Sequence, residues 1–210
     1  MLTLYFSPGS SAMATHIALH EIGVEFEPRP ISFANKEQRT PEYLGLNPEG
    51  KVPALIIDGR VLTEVAGTLY YLARRFPEAK LWPEGGIEDE AKAISWMSFI
   101  AATIHPARRA GVERWKEVFV FAEQRLGARE WTVGSHYSIA DIHLFRLYWR
   151  FVDALGPAAE TYPNLTAHYD RIMQRPAVRK TIAIEQGIGY TFPVGAGTDL
   201  DTDKGRTLVR

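Results

Sequence analysis

Between Tyr5 and His16 the chain reads Tyr-Phe-Ser-Pro-Gly-Ser-Ser-Ala-Met-Ala-Thr-His, a tight Pro8-Gly9 turn followed by two adjacent serines and then by small residues that open a helix. A strand-turn-helix junction of this kind gathers unpaired backbone N–H groups and the positive end of a helix dipole around one spot, so an anion is expected to bind there. Ser10, Ser11 and Tyr5 each bring an O–H donor to that spot. Ser11 also stands where it can cap the helix that follows.

The 210-residue chain contains no cysteine. Disulfides, thiolate metal sites and a protein thiol nucleophile are therefore excluded, and any sulfur chemistry needs a thiol carried by a ligand. His16 and His20 lie at i, i+4, but no third ligand accompanies them, so they read as an ordinary helix face and no metal is expected. A net charge of -1 leaves no basic stripe for nucleic acid. Met1 leads directly into an alternating strand, and no apolar run approaches the ~18 residues of a membrane span. A soluble, cytoplasmic protein is expected.

The elements that must position the junction follow from periodicity. Leu2, Leu4 and Phe6 alternate as a strand, and the helix after the turn is predicted to stop near Gly23. A second strand is expected around Phe26 to Ile31, and then a polar loop with a short helix up to Gly50. Val52 to Ile57 and Arg60 to Leu62 flank Asp58-Gly59, a type I′ hairpin signal, with Pro53 at a strand start that tolerates a cis bond. Thr63-Glu64 lead into a helix with Val65, Leu69, Leu72 and Phe76 on one face. This β-α-β then β-β-α order is a thioredoxin-like domain over residues 1–79, with a Pro- and Gly-rich linker at 80–87. Residues 88–186 show only helical periodicity: a stripe through Ile94, Met97, Ala101 and Ile104 that Pro106 should interrupt, and a helix over Val112 to Leu126. Ser138 and Asp141 form a capping box for the next helix, with a Tyr137–Ile142 staple, and two more helices follow. Residues 187–210 form an aperiodic tail expected to drape over the body.

Taken in this order, the Tyr5-to-Ile17 junction, the Val52-Pro53 strand start, the Thr63-Glu64 helix start and the Ser-x-x-Asp capping box resemble cytosolic glutathione S-transferases. The bacterial beta class is most similar at Tyr5, Pro8, Gly9, Ala14, His16 and Ile17. Its cysteine position is held here by Ser11, so thiol-disulfide chemistry on the protein is replaced by activation of glutathione's own thiol. The resemblance implies that Val52 pairs its N–H and C=O with the cysteinyl backbone beside Pro53. It further implies that Glu64 and the N–H of Val65 hold the γ-glutamyl group, and that His105 lines the site. Lys36 or Arg39 is expected to pair the glycyl carboxylate, and a homodimer is expected. The expected second-substrate wall comprises Phe6, Met97, Ile100, Trp115 and Phe119 or their neighbours, which suits an apolar electrophile. Two alternatives accompany this reading: a specialised glutathione-dependent lyase or ether-cleaving enzyme, and a non-catalytic ligand-binding protein of the same fold.

Overall fold

A computed structural model describes residues 1–190, so the tail expectation for 191–210 lies outside the described residues. Strand β1 (Leu2–Phe6) turns Leu4 and Phe6 into complete burial, as its alternation requires. It runs parallel to β2 (Glu27–Pro30) and antiparallel to β3 (Ala54–Ile57), which pairs in turn with β4 (Arg60–Thr63), giving the order β2-β1-β3-β4. Asp58 and Gly59 both take positive φ, 47° and 82°, as a type I′ hairpin demands. The Val52-Pro53 bond is cis.

Helix α1 (Met13–Ile22) buries every residue from Met13 to Leu19. A helix buried all round must be wedged between neighbours. It lies against α3 (Val65–Arg75), α7 (Ile139–Leu155) and α9 (Pro176–Ile188). The short α2 (Pro41–Leu46) starts at Thr40, whose hydroxyl accepts from the Tyr43 N–H.

The second half is helical among the described residues. In α4 (Ile87–Phe99) the helix passes into a π-turn, Ile100–Ile104, where the His105 N–H reaches Ile100 O. The chain then runs through α5 (His105–Ala107) and a 3-10 turn, Arg108–Ala110. Pro106 cannot donate to the ladder, so the interruption expected there takes the form of this widened turn. Helices α6 (Val112–Leu126) and α8 (Pro163–Met173) flank α7, which buries all residues from Ile139 to Phe151. The capping box is present: Ser138 Oγ accepts from Ala140 N–H, and Asp141 accepts from the Ser138 N–H. No described helix is long and apolar enough to cross a membrane.

Candidate active site between the two halves

Pro8 and Gly9 form the turn expected of them. The Ser10 N–H donates to Ser7 O at 3.0 Å, and Gly9 sits at φ 70°, a value glycine adopts without strain. The two serines then divide their roles differently from expectation. Ser10 Oγ accepts from the Ala12 N–H at 3.3 Å, whereas Ser11 Oγ donates to Val52 O at 3.3 Å. Ser11 is therefore not the helix cap. Ser10 acts as the acceptor at the helix entrance, and its own O–H proton stays available.

The turn faces a cavity of about 440 Å³ between the sheet domain and the helical domain. Ser10 and Ser11 line it together with Val52, Pro53, Glu64, Val65 and His105. Glu64 precedes α3 at φ 65° and ψ 130°, a backbone conformation rare for a residue with a side chain. That residue stands between β4 and α3, and the first two residues of α3, Val65 and Ala66, at the end of the helix that carries N–H groups without intrahelical partners, also line the cavity.

Other expectations are corrected. Tyr5 does not line the cavity: it stands on the opposite face of β1 from Leu4 and Phe6, edge-on to Tyr43 at 5.7 Å between ring centres. Lys36 and Arg39 belong to an exposed loop, and Arg39 donates to Glu49 O at 3.3 Å. Neither reaches the cavity wall; Lys51 does, its Nζ 2.6 Å from Glu49. Of the expected apolar wall only Trp115 lines the cavity. Phe6, Ile100 and Phe119 are completely buried and Met97 nearly so, all within the core. These four side chains pack within the core and are not among the residues that line the cavity.

In place of that apolar wall stands a basic one. His143, Arg146, Leu147 and Arg150 stand at i, i+3, i+4 and i+7 on α7 and all line the cavity, joined by Arg108 and Arg109 from the turn after Pro106. Arg146 Nε donates to Ser10 O at 2.8 Å and its Nη2 donates to Gly9 O, which fixes the Pro8-Gly9 turn from the helical side. Burial, and then repulsion from Arg150, push the Arg146 pKa down to about 9; burial and Arg108 push Arg150 down to about 10. Both remain cationic at neutral pH. His105 is exposed toward the cleft. The enclosure of the cleft, followed by Arg146, Arg109 and Arg108, lowers its pKa to about 4, so its ring is neutral at pH 7. The sequence signal for this stripe was a set of basic residues repeating at helical spacing within an otherwise apolar segment.

The i, i+4 pair on α1 also has a task. His16 Nδ1 is paired with Glu185 Oε1 at 2.9 Å and His20 Nδ1 with Thr181 Oγ1 at 2.9 Å, so the two rings form the seam that receives α9. Among the described residues no cluster of potential metal ligands is present.

Comparison with known proteins agrees with this geometry. The profile of the glutathione S-transferase N-terminal domain matches residues 1–74, and that of the C-terminal domain matches residues 94–176. A beta-class glutathione S-transferase from Sphingomonas chungbukensis is 33% identical, with a TM-score of 0.77 over 87% of this chain and 98% of that one. A sphingomonad glutathione S-transferase solved with glutathione is 32% identical over the same shares, also with a TM-score of 0.77. The glutathione S-transferase GstA of Escherichia coli O157:H7 is 28% identical over 88% of this chain and 98% of its own length. A thioredoxin-like sheet domain, an all-helical domain and a serine-bearing turn facing the cavity between them accordingly place this chain in the glutathione S-transferase family.

Proposed function

We propose that the protein transfers glutathione to an electrophilic carbon, with Ser11 donating its hydroxyl proton in a hydrogen bond to the glutathione thiolate. The observation that carries this reading is the 3.3 Å contact of Ser11 Oγ with Val52 O. Val52 is the residue that the resemblance assigns to the cysteinyl backbone, and a cysteine paired there carries its sulfur two bonds from its Cα. Ser11 thus lies beside the sulfur's position. When the cysteinyl N–H takes the Val52 carbonyl, the Ser11 hydroxyl is released from it and turns to the sulfur.

A thiol of pKa about 8.5 is mostly neutral at pH 7, and each unit of lowering needs about 1.4 kcal/mol of preference for the thiolate. A hydroxyl bond to an anion supplies roughly 1.5–3 kcal/mol and a helix N-terminus about 0.3–1, enough for one to two units. The neighbouring guanidinium groups act in the same direction. Glu64 and the N–H groups of Val65 and Ala66 receive the γ-glutamyl ammonium and carboxylate. Lys51 replaces Lys36 and Arg39 as the partner of the glycyl carboxylate. Neutral His105 offers one donor and one acceptor at the wall. Ser10 is the second candidate donor, because its role toward Ala12 leaves its proton available.

The test is the ultraviolet titration of thiolate in the glutathione complex. Ser11→Ala should raise the bound thiol's pKa by about one unit and lower kcat at pH 7 about tenfold, with Ser10→Ala milder and Tyr5→Phe without effect. If both serine variants titrate like the parent, the hydroxyl assignment is lost. A cytoplasmic homodimer, with the sheet domain of one subunit against the helical domain of the other, completes the proposal; sedimentation checks the assembly.

A further inference from the structure

The segment that joins α2 to β3 brings Lys51 and Val52 to the cavity wall, and it starts at Asn47, the residue that ends α2 and is itself buried. Each polar group of Asn47 has a partner. Its N–H donates to Tyr43 O at 2.9 Å, and its C=O accepts from the Gly50 N–H at 2.9 Å. Its Oδ1 accepts from the Glu49 N–H at 3.2 Å, and its Nδ2 donates to Lys51 O at 2.9 Å. The Lys51 carbonyl takes a second donor, the Tyr43 O–H, at 2.6 Å. Tyr43 is buried with Tyr5 against the edge of its ring. Burial, and then Tyr5, push the Tyr43 pKa up to about 12, so the phenol keeps its proton at neutral pH. Gly50 closes the arc at φ 61°, where a Cβ would stand 2.7 Å from Gln38 O. Glu49, whose carboxylate holds Lys51 Nζ at 2.6 Å, is fixed by the same arc.

One donor would satisfy a buried carbonyl, and two donors from different directions also fix its orientation. The Lys51–Val52 peptide is trans and planar, so its C=O and its N–H point to opposite sides. With Lys51 O held toward Tyr43 and Asn47, the Val52 N–H is held away from them. The Lys51 Cα, from which the ammonium extends, lies in the same fixed plane. Resting on the transferase reading, we infer that Asn47 and Tyr43 are positioning residues: through the Lys51 carbonyl they aim the Val52 amide at the cysteinyl backbone and the Lys51 ammonium at the glycyl carboxylate, and so set the preference for the whole tripeptide. They act on the capture of glutathione and leave the thiolate to the serines.

The test compares glutathione with γ-glutamylcysteine, which lacks the glycyl residue, with chlorodinitrobenzene as the electrophile for both. Tyr43→Phe keeps the ring and removes one donor to Lys51 O; Asn47→Asp keeps the acceptor for the Glu49 N–H and removes the other donor. In each variant KM for glutathione should rise about fivefold or more, while kcat at saturating glutathione and KM for the electrophile stay within about twofold of the parent. The bound thiol should titrate as in the parent. The advantage of glutathione over γ-glutamylcysteine should shrink toward its value in Lys51→Met. A general loosening of the fold would instead raise both Michaelis constants together and leave the ratio of the two thiols unchanged, and that result overturns the inference. A parent-like KM for glutathione in Tyr43→Phe overturns it as well, and this variant decides alone if Asn47→Asp does not fold. If the parent turns over no electrophile, the transferase reading fails, and calorimetric titration with glutathione then decides the inference by itself. Binding about fivefold weaker in Tyr43→Phe than in the parent supports it; equal binding, or none in the parent, overturns it.

Discussion

His143 carries the clearest consequence of the basic wall for a single residue. Burial, followed by His105 and Arg146, holds its pKa down at about 3. The unfolded ring takes up a proton near pH 6.5. Between those two values the unfolded state binds the extra proton, so stability is complete above about pH 7 and declines as pH falls, by up to about 1.4 kcal/mol per unit. His20, lowered to about 4 by burial and His16, adds to the decline over a narrower range. Urea unfolding of His143→Gln from pH ~7 to ~4.5 should show a shallower loss than the parent, by roughly one proton's worth of slope. Parallel curves would mean that the folded protein accepts the proton on this ring. His105, neutral at pH 7, should add no inflection of its own to the rate near neutrality, where the thiol's titration governs.

At the scale of an element, α7 unites a structural end and a functional middle. Asp141, completely buried, accepts from the N–H groups of Thr132 at 2.7 Å and Ser138 at 2.9 Å, and pairs with His168 Nε2 at 2.9 Å. Asp141→Ala leaves all of these without their acceptor and should cost about 3–5 kcal/mol, while Ser138→Ala should cost about 1, both read from denaturant midpoints. A loss below about 1 kcal/mol for Asp141→Ala would show that water replaces the carboxylate. The capping box was legible in the sequence because it spans four adjacent residues and obeys local rules. The partners Thr132 and His168 were not, because the fold alone brings them to Asp141. The same division holds at the cavity. The Pro8-Gly9 turn, the Val52-Pro53 start and Glu64 are set by local chemistry, and the sequence located all of them beside the cavity. Which cation lines the cavity depends on where the fold places each side chain: Lys36 and Arg39 stand in an exposed stretch off the cavity wall, Arg39 donating to Glu49 O, while Lys51, just before β3, lines it. Hydrophobicity misled in turn, because Phe6, Ile100 and Phe119 have the character of a pocket wall and the burial of core.

Across the whole molecule the Pro8-Gly9 turn with its two serines belongs to the sheet domain in sequence but is held by the helical domain. Arg146 of α7 donates to the carbonyls of Gly9 and Ser10. From α9, Glu185 Oε2 accepts the Gly9 N–H at 2.7 Å while its Oε1 meets His16 Nδ1 at 2.9 Å, with Glu185 itself completely buried. Both sides of one peptide turn are thus clamped by residues more than a hundred positions away. Such a clamp fixes the serines relative to Val52, and misplacing a catalytic group by about 1 Å can cost on the order of a hundredfold in rate. Glu185→Gln preserves shape and one acceptor but replaces the charge, so the fold should survive with a loss of about 1–2 kcal/mol. The turn should loosen more than the fold does. Amide exchange across residues 7–12 should accelerate under conditions where α7 stays protected, and kcat/KM for glutathione should fall about fivefold or more while the protein remains fully folded. Glu185→Leu, which strands the Gly9 N–H, should deepen both effects and lower the melting temperature clearly. Parent-like exchange at residues 7–12 in Glu185→Gln, with parent-like glutathione kinetics, would show that Arg146 alone holds the turn and that α9 only covers it.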